Sequence, residues 1–443
     1  MNYIWHATKA PKRKRHDDIW FINQQVGWAV NSAGEIIHTE DGFQTEPTVQ
    51  QRANAGTWLR CMSFTSPTDG WVGTITNEQR LFKTEDGKTW TDMTSKLPAL
   101  PEAICGISSP SKGVVFASGT QFPDKTAAVM HTADGGKTWK SISMADHANL
   151  LIDTYFSDAK TGWVVGGTGG TAYDRLKPVI MHTTDGGNTW EDKLLNSGID
   201  FPTGEWGWKI QFLTPKIGFV SLENMDAAAI LKTTDGGETW KRLEVKDQQG
   251  NIDLEGVGFI DEKTGWAGGW GQGFPRHPKG TTSGTTDGGA TWSDANQVGH
   301  FLNRFRFFPG VTAGIAGYAS GDTIYQCTVA TDAQLAVAQL SLDAQVPEAA
   351  IPLVWDKLDI ATTVPDNAKK LTITIFDTRQ KLVKTIVETS PRAGARSFSW
   401  DFKTSDGKDA GLGQYVYRVI TDDKLESDLV ERPARAKPED QAT

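Results

Sequence analysis

Read from its N-terminus, the chain repeats one order of apolar and polar positions. An alternating run comes first and ends in Phe, at Phe21, Phe64, Phe156, Phe212, Phe259 and Phe307. A glycine-aromatic step follows, as Gly27-Trp28, Gly70-Trp71, Gly162-Trp163, Gly218-Phe219 and Gly265-Trp266. An apolar pair is next, such as Leu81-Phe82, Val129-Met130, Ile180-Met181 or Ile230-Leu231, and then a polar turn. Alternation with period two marks half-buried strands. The order predicts three strands before the turn and one after it. Between Ala103 and Trp139 the pattern is weaker, with Gly113-Val114 as its second step.

The polar turn is itself a repeat, Thr-x-Asp-Gly-Gly-x-Thr-Trp, intact at Thr132–Trp139, Thr183–Trp190, Thr233–Trp240 and Thr285–Trp292. A copy one residue shorter spans Thr84–Trp90, and a decayed copy starts at Thr39 and has Glu46 in the Trp position. Asp can cap turn amides, Gly accepts positive φ, and the indole can pack back over the hairpin. The aspartates Asp41, Asp86, Asp134, Asp185, Asp235 and Asp287 recur every 45 to 52 residues, the period of a four-stranded propeller blade.

A seventh copy begins at Asn303 and lacks both the box and a fourth strand. The chain start, Asn2-Tyr3-Ile4-Trp5, reads as that missing strand, so the ring is expected to close on it. Closure leaves no long sheet edge to pair with another chain, and a monomer is expected. After Thr328 the repeat stops. The expected organisation is all-β: a seven-bladed propeller over 1–328, a linker over 329–348, an Ig/FnIII-like sandwich over 349–431 and a disordered tail over 432–443. Alternating runs at 371–376, 382–386, 396–400 and 415–419 supply the sandwich strands.

These boxes resemble the Asp-box (BNR) repeats of sialidases, sortilin-type receptors and xyloglucanases. With Gly-Trp steps ahead of each box, the ring resembles the photosystem II stability and assembly factor family over Met1 to Thr328. That resemblance implies a propeller that binds or assembles rather than one with a known chemistry. Trp400-Asp401 through Asp406-Gly407 and then Gly413-Gln414-Tyr415 resembles the Ig-like domain of flagellar hook-capping proteins, which implies a spacer or docking module.

Composition narrows the function classes. Net charge is −9, which argues against nucleic acid as partner. The one basic run, Lys12 to Arg15, reads as a solvated loop, with a localisation signal or an anion patch as alternatives. Cys61, Cys105 and Cys327 have no metal spacing; Cys61 and Cys105 fall at similar places in neighbouring repeats, where one bridge is conceivable and buried free thiols are favoured. No stretch has the roughly 20 apolar residues of a membrane span. Residues 1–10 show no signal-peptide core, which reads as cytoplasmic, although the resembled families are mostly exported or lumenal. No metal or cofactor is expected.

Candidate chemistry lies around the central channel. Residues three or four before the terminal Phe of each inner strand are expected near its mouth: Asp17, Asp18, Arg60, Asp153, Trp208, Lys209, Glu255, Asn303 and Arg304. Long loops at 166–178, 199–208 and 268–284 share that face, and the third brings Trp270, Arg276 and His277. The functional reading makes Arg60 and Arg304 anion clamps and Trp208 or Trp270 a stacking platform, for a protein segment or a glycan. The bland reading is a mutually paired charge ring. The alternative function is a carbohydrate-active hydrolase or lyase, with Asp153 and Glu255 as the facing carboxylates and His277 as acid or base. A third reading leaves all binding to the terminal sandwich. His38, His131 and His182 share one slot in separate blades, too far apart for one metal.

Overall fold

The computed structural model describes residues 3–12, 15–76, 78–120, 127–247, 250–270, 282–294, 299–330, 358–366, 368–377, 382–410, 413–421 and 424–432. Among them the regular structure is β-strand, with two short 3-10 turns at Thr94–Lys96 and Tyr173–Arg175. The chain divides into two compact units, the first ending at Ala330.

The first unit contains seven four-stranded antiparallel sheets. Their inner strands are His16–Phe21, Leu59–Ser66, Gly106–Ser111, Leu150–Phe156, Trp206–Phe212, Leu254–Phe259 and Phe305–Phe307, which number blades 1 to 7. Each inner strand packs on the next and the seventh packs on the first, so the ring is closed. Blade 7 takes its outer strand from the start of the chain. Tyr3–Ala7 runs antiparallel to Ile324–Val329, with Trp5 opposite Cys327. Trp5 also meets Trp266 of blade 6 edge-on at 5.4 Å. Asn2, expected in this strand, lies outside the described residues.

The Phe and the glycine-aromatic step turn out to serve one contact. The ring ending an inner strand stacks on the second-strand aromatic of the preceding blade: Phe156 on Phe116 at 3.5 Å, Phe259 on Phe219 at 3.6 Å and Phe21 on Tyr318 at 3.8 Å. The glycine leaves room for that ring. A Cβ at Gly70 or Gly162 would stand 2.3 Å from Phe64 or Phe156. Blade 3 has Ser109 in the Phe slot, and there the box indole of Trp139 meets Trp71 edge-on at 5.8 Å instead. Stacked or edge-on aromatic pairs add about 0.5–1.5 kcal/mol beyond area burial.

Each box is a hydrogen-bonded cage. Asp134 Oδ1 accepts the N–H groups of Lys137 and Thr138, both at 3.0 Å, and Oδ2 accepts the Thr138 hydroxyl at 2.6 Å. The box around Asp41 keeps this cage, with the Thr45 N–H 3.0 Å and its hydroxyl 2.6 Å from Oδ2. Its missing Trp is replaced in two parts. Phe43, at φ 60° in the second-glycine slot, sets its ring edge-on to Phe21 at 6.0 Å. The intact boxes place Trp190 and Trp292 on Phe156 and Phe259 in the same way, both at 6.3 Å. The Gly187 carbonyl takes the Trp190 indole N–H at 3.0 Å, whereas the Phe43 carbonyl takes the Lys9 N–H at 2.8 Å. The first box is thus an adapted copy, built around the segment that closes the ring.

The second unit is a two-stranded sheet, Leu358–Val364 with Gly394–Trp400, and a four-stranded sheet in the order Leu382–Thr389, Lys370–Asp377, Gly413–Thr421, Lys424–Arg432. Its core includes Trp400, Phe402, Leu371, Ile373, Ile375 and Tyr415. Of the expected linker over 329–348, Val329 instead ends the strand Ile324–Val329 and residues 331–348 lie outside the described residues; of the expected tail over 432–443, Arg432 instead ends the strand Lys424–Arg432 and residues 433–443 lie outside them.

Candidate functional site

The antiparallel order puts the boxes and the turns between first and second strands at one end of the ring. The connections between blades and between second and third strands lie at the other end, where the inner strands begin. There the inner strands carry a repeated irregularity. The register slips by one residue between His16 and Asp18, Leu59 and Cys61, Leu151 and Asp153, Gly207 and Ile210, and Leu254 and Gly256. A β-bulge leaves the extra residue unpaired and re-aims its side chain. This is why consecutive residues such as Asp17 and Asp18, which a regular strand would send to opposite faces, both enter one polar cluster.

That cluster is a paired network inside the ring. Asp17 accepts Arg60 Nη1 at 2.5 Å and the Trp58 indole N–H, with Arg15 Nε at 3.3 Å. Arg15 also donates to Glu255, which accepts Asn303 Nδ2 at 2.9 Å. Arg304 binds Asp153 with both guanidinium arms, at 2.8 and 3.0 Å, and gives Nε to Asp18 at 3.1 Å. The carboxylates also staple neighbouring blades: Asp18 accepts the Met62 N–H and Asp153 the Ile210 N–H, each at 3.0 Å. Asp17, Asp18, Asp153 and Glu255 are at most 1% exposed.

Protonation follows from these contacts. Burial would raise the Asp153 pKa, but Arg304 and Lys209 outweigh it and hold the carboxyl below its ordinary value. Burial lowers Arg15 to about 10 despite Asp17. Burial, helped by Arg304 and opposed by Asp153, lowers Lys209 to about 8. Burial and the neighbouring Asp253 push the Glu223 carboxyl well above its ordinary value.

Of the residues singled out in the sequence, Asp17, Asp18, Arg60, Asp153, Lys209, Glu255, Asn303 and Arg304 do meet, but inside the ring rather than at an open mouth. Arg60 and Arg304, expected as anion clamps, are engaged by internal carboxylates. Trp208 and Trp270, expected as stacking platforms, are covered by guanidinium groups: Arg60 lies 4.7 Å from the Trp208 ring centre and Arg15 4.4 Å from that of Trp270. Arg276 and His277 lie outside the described residues. Cys61, Cys105 and Cys327 are buried free thiols, so the conceivable bridge is absent. His38 and His182 lie over the second-strand indoles of Trp28 and Trp163, at 4.8 and 4.6 Å, each within its own blade.

Arg15, read as the end of a solvated basic loop, is instead 5% exposed because Asp17 and Glu255 take its guanidinium inside the ring, and Trp58, Trp206 and Asp253 were likewise not placed in the cluster. All four stand six residues before the Phe that ends their strand, an offset as regular as the two used. Trp206 and Trp208 form an apolar wall with Leu150, Ile152 and Leu176, against which Tyr173 packs. The strand Trp206–Phe212 also holds three buried donors with no acceptor among the described residues: Trp206 Nε1, Trp208 Nε1 and Lys209 Nζ.

Comparison with known proteins agrees with this architecture. Residues 1–144 match the family described as photosynthesis system II assembly factor YCF48, and residues 355–424 match the FlgD Ig-like domain. Among solved structures, the chain is similar to "YCF48 bound to D1 peptide" at 20% identity and TM-score 0.52, over 74% of this chain and 97% of that one. It is similar to YCF48 from Cyanidioschyzon merolae at 17% identity and TM-score 0.52, over 73% and 98% of the two chains. The WD40 β-propeller domain of Doa1 is similar at 13% identity and TM-score 0.50, over 75% and 98%. No curated protein matches. The chain is an all-β propeller similar to the YCF48 assembly factors, with a C-terminal Ig-like domain.

Proposed function

We propose that this propeller is a non-catalytic binding or assembly factor that holds an extended protein segment at the end of the ring where the inner strands begin. One observation carries the reading. The strand Trp206–Phe212 keeps three donors buried and, among the described residues, without acceptors, beside the apolar wall of Trp206, Trp208 and Leu176. Leaving a buried donor unmade costs about 1–3 kcal/mol, and more for a charged one. Because Trp206, Trp208 and Lys209 are buried, a peptide main chain supplies carbonyl acceptors to these donors only by displacing the side chains that cover them, Arg60 over Trp208 among them. The family likeness supports the same class of partner, since one similar structure is described as bound to a D1 peptide. The hydrolase alternative gains nothing from Asp153 and Glu255, because Arg304 and Arg15 occupy both carboxylates.

The test separates binding from folding. Peptides are selected from a random phage-displayed library on the immobilised full chain, and their affinity is measured for the wild type and for Lys209→Met. Lys209 Nζ makes no hydrogen bond among the described residues and its burial cost offsets its attraction to Asp153, so the thermal midpoint should change little, while peptide affinity falls at least tenfold. Equal affinity for both proteins, or no selected peptide, would overturn the proposal.

A further inference from the structure

Ring closure leaves the propeller no long sheet edge, but the second unit keeps edges of its own. The strand Leu382–Thr389 ends its four-stranded sheet and pairs only with Lys370–Asp377. Among the described residues one backbone group reaches its outer edge: the Ser405 N–H meets the Val383 carbonyl at 2.9 Å. From Lys384 to Thr389 that edge is uncovered by any described backbone. The strand has no Pro, and its one register slip lies before Lys384. Leu382 and Val387 are each 52% exposed, two of the five large apolar side chains exposed among the described residues.

The side chains along this edge decide which strand can lie against it. A lone Lys on an edge strand blocks pairing, because the added strand would cover its charge. Lys384 Nζ lies 3.5 Å from the Thr404 carbonyl and makes no ion pair among the described residues. Glu388 follows on the same face of the strand, where Arg396 reaches it at 3.1 and 3.3 Å. A carboxylate has about four acceptor sites, so Glu388 can take a further donor. An added strand therefore needs an acid opposite Lys384 and a base opposite Glu388. This strand run antiparallel to itself supplies both. Two identical antiparallel neighbours in one sheet are related by a two-fold axis normal to it, and that axis passes through a residue. Centred on Ile386, it sets Lys384 opposite Glu388 at two crossings, Thr385 opposite Val387 at two more, and Ile386 opposite itself. Centred on Thr385 it sets Lys384 opposite Ile386, and centred on Val387 it sets Glu388 opposite Ile386. Only the Ile386 axis matches charge with charge.

We propose that Leu382–Thr389 is a self-pairing edge, on which a second copy of this chain docks through the same strand about a two-fold axis at Ile386. The two four-stranded sheets then run on as one, Val387 of each copy lies against Thr385 of the other, and the Lys384 and Glu388 charges pair across the join. One strand per copy is a small contact, so the dimer belongs to the weak, concentration-dependent class. The strand shares no residue with Trp206–Phe212, so the pairing goes beyond the peptide-binding reading and stands or falls separately from it.

Sedimentation velocity of the full chain is followed from low to high micromolar concentration. The wild type should pass reversibly from monomer to dimer. Lys384→Glu alone and Glu388→Lys alone each set like charges opposite one another, and each should self-associate at least tenfold more weakly. Mixed in equal amounts, the two variants have opposite charges at both crossings and should associate within about threefold of the wild type. Amide hydrogen exchange in residues 384–389 should slow as the wild type is concentrated. A wild type that stays monomeric, a single variant that associates undiminished, or a mixture that fails to associate overturns the proposal. So does slowing of exchange confined to the propeller, which would mark a different interface. If Glu388→Lys, which also faces Arg396, fails to fold, Lys384→Glu and the exchange pattern decide.

Discussion

Asp153→Asn is the most direct test of the network inside the ring. The carboxylate is 1% exposed and accepts three donors: Arg304 Nη2 at 2.8 Å, Arg304 Nη1 at 3.0 Å and the Ile210 N–H at 3.0 Å. Asn keeps the shape but offers one acceptor oxygen, and it turns an amide donor toward a guanidinium or an amide. It also leaves Arg304 short of one of its two carboxylates. Removing one partner of a buried ion pair costs about 3–5 kcal/mol. With a urea slope of about 3 kcal/mol/M, the unfolding midpoint followed by tryptophan fluorescence should fall by about 1–1.7 M. Adding Arg304→Met should recover part of the loss, since the two changes remove one interaction. The pH dependence has a fixed sign. The folded pKa of Asp153 is held down, so its contribution is present above its unfolded value near ~3.9 and is lost as pH falls through the lower folded value. That acid limb should shrink in Asp153→Asn. A midpoint that is unchanged or higher would refute the reasoning, because a carboxylate kept for chemistry at a cost in stability behaves that way.

Further outcomes are expected elsewhere in the ring. Trp5 is buried and packs on Trp266, Phe305 and Phe307, so Trp5→Ala should cost about 3–5 kcal/mol and speed hydrogen exchange in blade 7 first; uniform loss of protection across the blades would contradict a latch. Burial raises the thiol pKa of Cys61 and Cys105, so neither should react with a thiol reagent until the propeller unfolds, and prompt native-state labelling would count against their placement. Burial lowers the pKa of His38, His131 and His182. Stability from these imidazoles is therefore full above about pH 6.5 and lost as pH falls through the folded values. An NMR titration giving 6.5 or higher for all three would reject this.

Much of the fold was legible because it repeats. The Phe, the glycine-aromatic step and the Asp box each mark a local event, a strand end, a close approach or a turn, and local events leave periodic residues. The pairing of Tyr3–Ala7 with Ile324–Val329 was legible for a similar reason: a copy short of one strand at its end meets a chain with one strand spare at its start. The membership of the polar cluster could be gathered by offset from the Phe. Its third layer, Arg15, Trp58, Trp206 and Asp253, was not placed there, and Arg15 was read as solvated, although the layer obeys the same rule at six residues.

What no offset could disclose is how those side chains are spent. Arg304 of blade 7 binds Asp153 of blade 4, and Arg15 of blade 1 binds Glu255 of blade 6; such partners are chosen across the ring axis, with no sequence spacing to report them. The bulges that send consecutive residues into one cluster, the Phe43 ring standing in for an indole and the Lys9 N–H standing in for an indole N–H are likewise outcomes of packing. By itself the sequence determined a ring of repeated sheets and which residues face its interior, because strand period and turn chemistry are local. Tertiary structure alone decided that these charges neutralise one another and which donors of Trp206–Phe212 remain without acceptors among the described residues, because each depends on distances between segments far apart in the chain.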